Sequence, residues 1–222
     1  MPVSGLILRR SDFFAGCPAA ALAWASSHME MLPLRKREVL VLRGSMPPGL
    51  GVVVQGSVQM LELTLDGREV AVQSAAEGEV LGLEGLLAPE AEPVSWVAAN
   101  GAATVAAMTR EDALALLEME GMGLRAARWL ARKLAQTRAW NRLVGVHPVM
   151  ARVCACLLWL KGEDGTLALP THAELGWRLN TTRESVTRAL QRLQQDGIVQ
   201  RCGERWRITD EPALRALARP EG

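Results

Sequence analysis

Apolar and polar positions follow two different periods along this chain, and the change falls near residue 109. Between residues 32 and 108, short apolar runs alternate with turn signals. They are VLVLRG ending at Gly44, GVVVQG at 51–56, SVQMLELTLDG at 57–67 and REVAVQ at 68–73. Glycines or the Asp66-Gly67 pair close the runs, and both residues of that pair tolerate the positive φ of a hairpin turn. Regular short strands with such punctuation predict an all-β roll or barrel. Upstream, the alanine-rich stretch PAAALAWASSHMEM at 18–31 predicts one helix.

From Thr109 the helical period takes over. Thr109-x-x-Asp112 resembles a capping box and brings acids into the first turn of a helix. Gly121 and Gly123 are expected to interrupt it. A long helix then runs to about Val144. Along it Ala127, Leu130, Leu134, Thr137, Asn141 and Val144 recur at alternating steps of three and four. That is the narrow seam of a coiled coil, read here as a dimer interface, with Asn141 able to fix the register. The other reading of the seam is an ordinary core helix. Trp129 and Trp140 lie off the seam and are expected to face the β unit. Pro148 disfavours helical geometry at His147, so GVHPV at 145–149 is the expected hinge and domain boundary. A helix at 150–162 and a polar turn with a short strand at 163–170 follow.

The segment 171–208 carries the candidate chemistry. Thr171-x-x-Glu174 opens a short helix, and Thr181-x-x-Glu184 is expected to open a longer one. Asn180 suits the tight turn between them. Leu175, Leu179, Val186 and Leu190 can then meet as one apolar nucleus. Short helix, tight turn and longer helix make the helix-turn-helix plan. The second helix offers Arg183, Glu184, Thr187 and Arg188 at its start. Arginine bonds guanine O6 and N7 bidentately, and glutamate accepts from cytosine N4. Thr181 and Thr182 suit phosphate oxygens. IVQRCGERWRI at 198–208 reads as a hairpin wing that brings Arg201, Arg205 and Arg207 to phosphates.

Composition narrows the classes. The 222 residues are 49% apolar with a formal charge of +1, so the chain is globular and is not a general polyanion binder. The start has no signal-peptide pattern, and no run reaches the ~18 apolar residues of a membrane span, so a cytoplasmic protein with no membrane partner is expected. Cys17, Cys154, Cys156 and Cys202 lack zinc-site spacing, and no metal site is expected. The motifs of phosphate loops, zinc proteases and serine hydrolases are missing, which argues against an enzyme.

LGWRLNTTRESVTRALQRLQQDGIV resembles the helix-turn-helix signature of the cyclic-AMP receptor protein/FNR (Crp/Fnr) family of bacterial transcription regulators. GVVVQGSVQMLELTLDGREV, EGEVLGLEGLL and SWVAA resemble, in that order, the family's β-roll. The resemblance covers nearly the whole length and implies an α+β fold. Its parts are an N-terminal β-roll of the cyclic-nucleotide-binding jelly-roll kind (1–108), a dimerisation helix with hinge (109–147) and a C-terminal winged helix-turn-helix (148–222). It implies a homodimer on double-stranded DNA, a small-molecule effector in the β-roll under the long helices of both subunits, and RNA polymerase as partner. Arg183, Glu184 and Arg188 match the base-reading Arg-Glu-x-x-x-Arg of the cyclic-AMP branch, which implies a palindrome with TGTGA-like half-sites. Thr187, Thr182, Thr181, His172 and Arg201 complete the DNA-contact candidates.

The effector segment departs from the family. The candidate pocket residues are Gly82, Leu83, Glu84, Pro93, Val94, Trp96, Thr137 and Arg138. Cyclic-AMP binders carry Gly-Glu where this chain has Gly82-Leu83, and Arg-Ser where it has Pro93-Val94. A cyclic phosphate held there without a cation would cost several kcal/mol, so cyclic AMP is not the expected effector. An iron–sulfur cluster is not expected either, because only Cys17 lies in the amino-terminal segment. The alternatives are a haem-based sensor, with axial ligands drawn from Pro2, Cys17, His28, Met29 and Met31, and an apolar effector lined by Trp24, Trp96, Trp129 or Trp140. Two more are a regulator that needs no effector and a module that acts on a protein partner without DNA binding.

Overall fold

A computed structural model describes residues 3–41, 49–63, 69–88, 95–98, 101–203 and 205–219. The chain divides into two compact units, residues 1–133 and 134–222, and the division falls inside one long helix. Among the described residues no helix is long and apolar enough to cross a membrane.

The first unit opens with α1 (Gly5–Leu8) and α2 (Ala19–His28), the latter answering the alanine-rich stretch. Strands β1 (Glu30–Leu34), β2 (Val39–Val41), β3 (Leu50–Gln55), β4 (Ser57–Leu63), β5 (Glu69–Ala76) and β6 (Val80–Leu81) follow. The short helix α3 (Leu83–Leu87) then precedes β7 (Ser95–Ala98) and β8 (Ala103–Met108). The strands form two antiparallel sheets, β1-β8-β3-β6 and β2-β7-β4-β5. The strand runs of the sequence reappear within a few residues of their expected bounds, whereas α3 carried no periodic signal. The Asp66-Gly67 turn and Gly44 lie outside the described residues.

Alternation explains how the two sheets are covered. Val53, Val58, Ala75, Trp96 and Val105 share one apolar cluster between the sheets. On β3 and β8 the next residues over, Val52 and Ala106, join a second cluster with Phe13, Leu22, Leu83, Leu116 and Trp129. The first sheet is therefore apolar on both faces, one against the other sheet and one against helices. Helix α4 (Arg110–Glu118) starts as expected, with the Thr109 hydroxyl accepting from the Asp112 amide at 3.2 Å. The break after it centres on Gly121, at φ +77°, while Gly123 lies within the next helix rather than interrupting one. That helix, α5 (Met122–Val144), is 23 residues long.

The second unit holds α6 (Val149–Leu160), β9 (Thr166–Leu167), α7 (His172–Arg178), α8 (Arg183–Gln195), β10 (Val199–Cys202), β11 (Arg205–Ile208) and α9 (Glu211–Leu217). Leu157, Leu175, Leu179, Val186, Leu190, Leu193 and Trp206 are buried in one core. Trp140 packs against this core, its ring 6.3 Å from that of Trp159, so it does not serve the β unit as expected. Trp129 does, buried in the first unit. Helix α9 had no counterpart in the sequence reading. It docks through Leu214 and through Glu211, which accepts from Lys161 Nζ at 2.7 Å.

Gly82 gives the fold a sharp test. It precedes α3 at φ +82°, and a Cβ there would sit 2.3 Å from the Gly49 carbonyl oxygen. The Gly82→Ala variant is expected to lose roughly 2–4 kcal/mol of stability in urea titration, because strain and a backbone clash add.

Candidate nucleic-acid interface

The pair α7–α8 is built around a tight turn. Asn180 takes the left-handed conformation at φ +49°, as the sequence suggested. The Thr181 amide donates back to the Gly176 carbonyl at 2.8 Å. Gly176 is buried, and a Cβ there would lie 3.0 Å from the Arg183 nitrogen, so the two helices meet only because no side chain intervenes. Leu175, Leu179, Val186 and Leu190 are all fully buried under the pair.

Sequence reasoning missed the residue that holds this turn. Arg152 on α6 is 4% exposed. Its Nη1 donates to Leu179 O at 2.6 Å and to Asn180 O at 3.0 Å, and its Nε to Val146 O at 2.9 Å. One guanidinium thus joins the α5–α6 connector to the turn. The signal was present as a lone arginine in the apolar run MARVCACLLWL. Its neighbours Cys154 and Cys156 are buried thiols, each pushed up to about 12 by desolvation. Both therefore stay protonated near neutral pH and serve as small apolar side chains.

At the tip of α8 the cap differs from expectation. Thr182 is the N-cap, its hydroxyl accepting from the Ser185 amide at 3.1 Å. The Thr181 amide is committed to the turn, which moves the helix start on by one residue. The Thr181–Glu184 capping box therefore does not form, and Glu184 is not consumed as a cap. By contrast the Thr171–Glu174 box forms with both of its bonds. Arg183, Glu184 and Arg188 are exposed, and Thr181 and Thr187 are partly buried. Thr187 Oγ1 donates to the Arg183 carbonyl at 2.9 Å and lies 2.9 Å from His172 Nδ1. His172, the first residue of α7, is thereby brought to the same tip.

The wing is a three-stranded antiparallel sheet, β10-β11-β9. Arg201 pairs with Trp206, and its Nε donates to Gly203 O at 3.2 Å, so it braces its own hairpin. Gln200 pairs with Arg207, and Cys202 with Arg205. Side chains alternate across a sheet, so Arg205 and Arg207 project together from the face opposite Arg201 and Trp206.

The effector candidates are dispersed. Leu83 is fully buried under the helical layer, Trp96 lies between the two sheets, and Glu84 is exposed on α3. Thr137 and Arg138 are exposed and belong to the second unit. Pro93 and Val94 lie outside the described residues, as does Pro2. The four tryptophans offered as alternative linings are spread over three clusters, with Trp24 and Trp129 in the one against the helices, Trp96 between the sheets and Trp140 in the second unit. Of the axial-ligand candidates, Cys17 and Met29 are buried in the first-unit core, and Met31 packs on it. The His28 ring stacks 3.9 Å from that of Trp24, and its Nδ1 lies 2.9 Å from Trp24 O.

Residues 31–120 match the cyclic nucleotide-binding domain family, and residues 151–217 match the Crp-like helix-turn-helix domain family. The cAMP-activated global transcriptional regulator CRP of Salmonella typhimurium is 25% identical over 191 residues, covering 82% of this chain and 91% of that protein. The cyclic AMP receptor protein of Thermus thermophilus is 27% identical over 194 residues, covering 86% and 89%. Among solved structures, FixK2 of Bradyrhizobium japonicum superposes with a TM-score of 0.71 at 24% identity, covering 87% of this chain and 99% of that one.

The turn-holding role of Arg152 has a measurable consequence. Arg152→Met leaves the carbonyls of Val146, Leu179 and Asn180 without their donor, and is expected to cost about 2–4 kcal/mol in urea titration followed by tryptophan fluorescence. Arg152→Lys should recover only part, because an ammonium lacks the planar fork that reaches three acceptors.

Proposed function

The chain belongs to the Crp/Fnr family of transcription regulators, and from that premise we propose that it reads a two-fold-symmetric DNA site as a homodimer, through TGTGA-like half-sites and under an effector other than cyclic AMP. The observation that carries the half-site is the tip of α8. Its cap is made by Thr182 and Ser185, so Arg183, Glu184 and Arg188 all remain available to base edges. Two guanidinium groups fit guanines and the carboxylate fits a cytosine amine, which is the donor and acceptor pattern of TGTGA and its complement. The Thr181 hydroxyl, Arg205 and Arg207 serve phosphates, while the Thr182 hydroxyl is taken up by the cap.

The seam on α5 supports the pairing. Ala127, Leu134, Thr137 and Asn141 are exposed in the single chain, Leu134 to 51%, while Leu130 and Val144 are half-buried. A second copy of the helix covers such a stripe, and two-fold pairing sets the recognition helices one DNA turn apart. RNA polymerase is the partner such a regulator addresses, and the cytoplasm is where it works.

The effector reading rests on Leu83. Where cyclic-AMP binders place a carboxylate for the ribose hydroxyl, this chain buries a leucine in its core. The two relatives described above are named for cyclic AMP, and this position separates the chain from that chemistry.

Binding-site selection from random duplexes is expected to return inverted half-sites with a GTG core. Half-sites without it would overturn the base assignment. Arg183→Ala should weaken binding to the selected duplex by about 1–3 kcal/mol per half-site and relax one base position. Calorimetry with cyclic AMP should give no micromolar binding, and micromolar affinity would sink the effector reading.

A further inference from the structure

His172 is the one titratable ring at the DNA-reading tip, and its Nδ1 is engaged with Thr187 Oγ1 at 2.9 Å. The Thr187 hydroxyl has a single proton, and it goes to the Arg183 carbonyl at 2.9 Å. Toward the ring, 2.9 Å away, that hydroxyl oxygen can then only accept. In that arrangement the His172 Nδ1–H donates to Thr187. With Nδ1 engaged by Thr187, Nε2 is the ring nitrogen left to meet a ligand. Neutral, it offers a lone pair; protonated, it offers a cationic N–H, and the Nδ1 bond survives either way.

The surrounding charges define what that change does. On α7 the other charged side chains are Glu174 and Arg178, and the Glu174 carboxylate is turned back into the cap on Thr171, 2.9 Å from both its amide nitrogen and its hydroxyl. On α8 they are Arg183, Glu184, Arg188 and Arg192, and Arg192 is paired with Asp196 at 2.8 Å. Arg183 and Arg188 make the tip cationic before DNA arrives. No side chain among the described residues takes the His172 Nε2 as a partner, and the ring is only partly buried.

We propose that His172 makes operator binding proton-linked: a DNA phosphate approaching this tip is met by the protonated ring through Nε2–H, so association takes up protons. The inference rests on the DNA-reading assignment of α8. A charge-assisted bond to phosphate exists only in the protonated form, and the homodimer carries two such rings. The ring thus sets affinity as a function of pH, while Arg183, Glu184 and Arg188 set sequence.

The test is fluorescence anisotropy of the full chain on the selected duplex, between about pH 6 and about pH 8, with proton uptake read by calorimetry in buffers of different ionisation enthalpy. The wild type should bind roughly tenfold tighter at the lower pH, with net proton uptake. His172→Asn keeps an amide donor for Thr187 but cannot charge; it should show no slope and no proton uptake. His172→Lys carries a permanent cation and should bind tightly with no slope. His28→Gln and His147→Gln should retain the wild-type slope. An unchanged slope in His172→Asn, or a slope lost in His147→Gln instead, overturns the proposal. If the wild type binds selected and scrambled duplexes alike at every pH, the reading of α8 fails, and this inference with it.

Discussion

A guanidinium buried among carbonyl oxygens holds the geometry on which the DNA-reading tip depends. Arg152 has no carboxylate partner among the described residues, and its charge is balanced by the dipoles of Val146, Leu179 and Asn180. A buried charge is tolerated only where such acceptors saturate it. The three acceptors lie on two separate loops, the connector after α5 and the turn before α8. Neither loop can shift relative to the other without breaking a bond inside the core. The turn between the two helices is therefore held from beneath by α6.

That arrangement separates structural from available polar groups at the start of α8. Thr182, Ser185, the Thr181 amide and the Thr187 hydroxyl are all spent within the protein. Arg183, Glu184 and Arg188 are not. Groups satisfied internally fix rotamers and backbone; groups left unsatisfied are those a ligand can satisfy. The one-residue shift of the cap from Thr181 to Thr182 matters here, since it moves Glu184 from the first category to the second.

Much of this was legible in the sequence, for identifiable reasons. Short-range codes read well. The Thr109 and Thr171 caps, the left-handed Asn180, and the nucleus of Leu175, Leu179, Val186 and Leu190 follow from periodicity and turn chemistry, which act within a few residues. Errors arose where a tertiary bond competes with a local one. Thr181 looked like a cap because Glu184 stands three residues on, but its amide is claimed by Gly176 across the turn. Arg152 stood out as a lone arginine in an apolar run, but its partners could not be read because they lie 6, 27 and 28 residues away. Trp140 was assigned to the β unit on helical phase alone, whereas its partner Trp159 lies on the next helix. Family position groups Leu83 with Trp96, while the sheet places them in different cores.

The doubly covered sheet has a mechanical consequence. On β3, Val53 faces the sandwich and Val52 the helical layer that includes Met122, Ala126 and Trp129 of α5. Close-packed interiors compress little, so volume added on one side is felt on the other. Such a sheet works as a diaphragm. Anything that swells the space between the sheets bears, through one strand's thickness, on the base of the long helix.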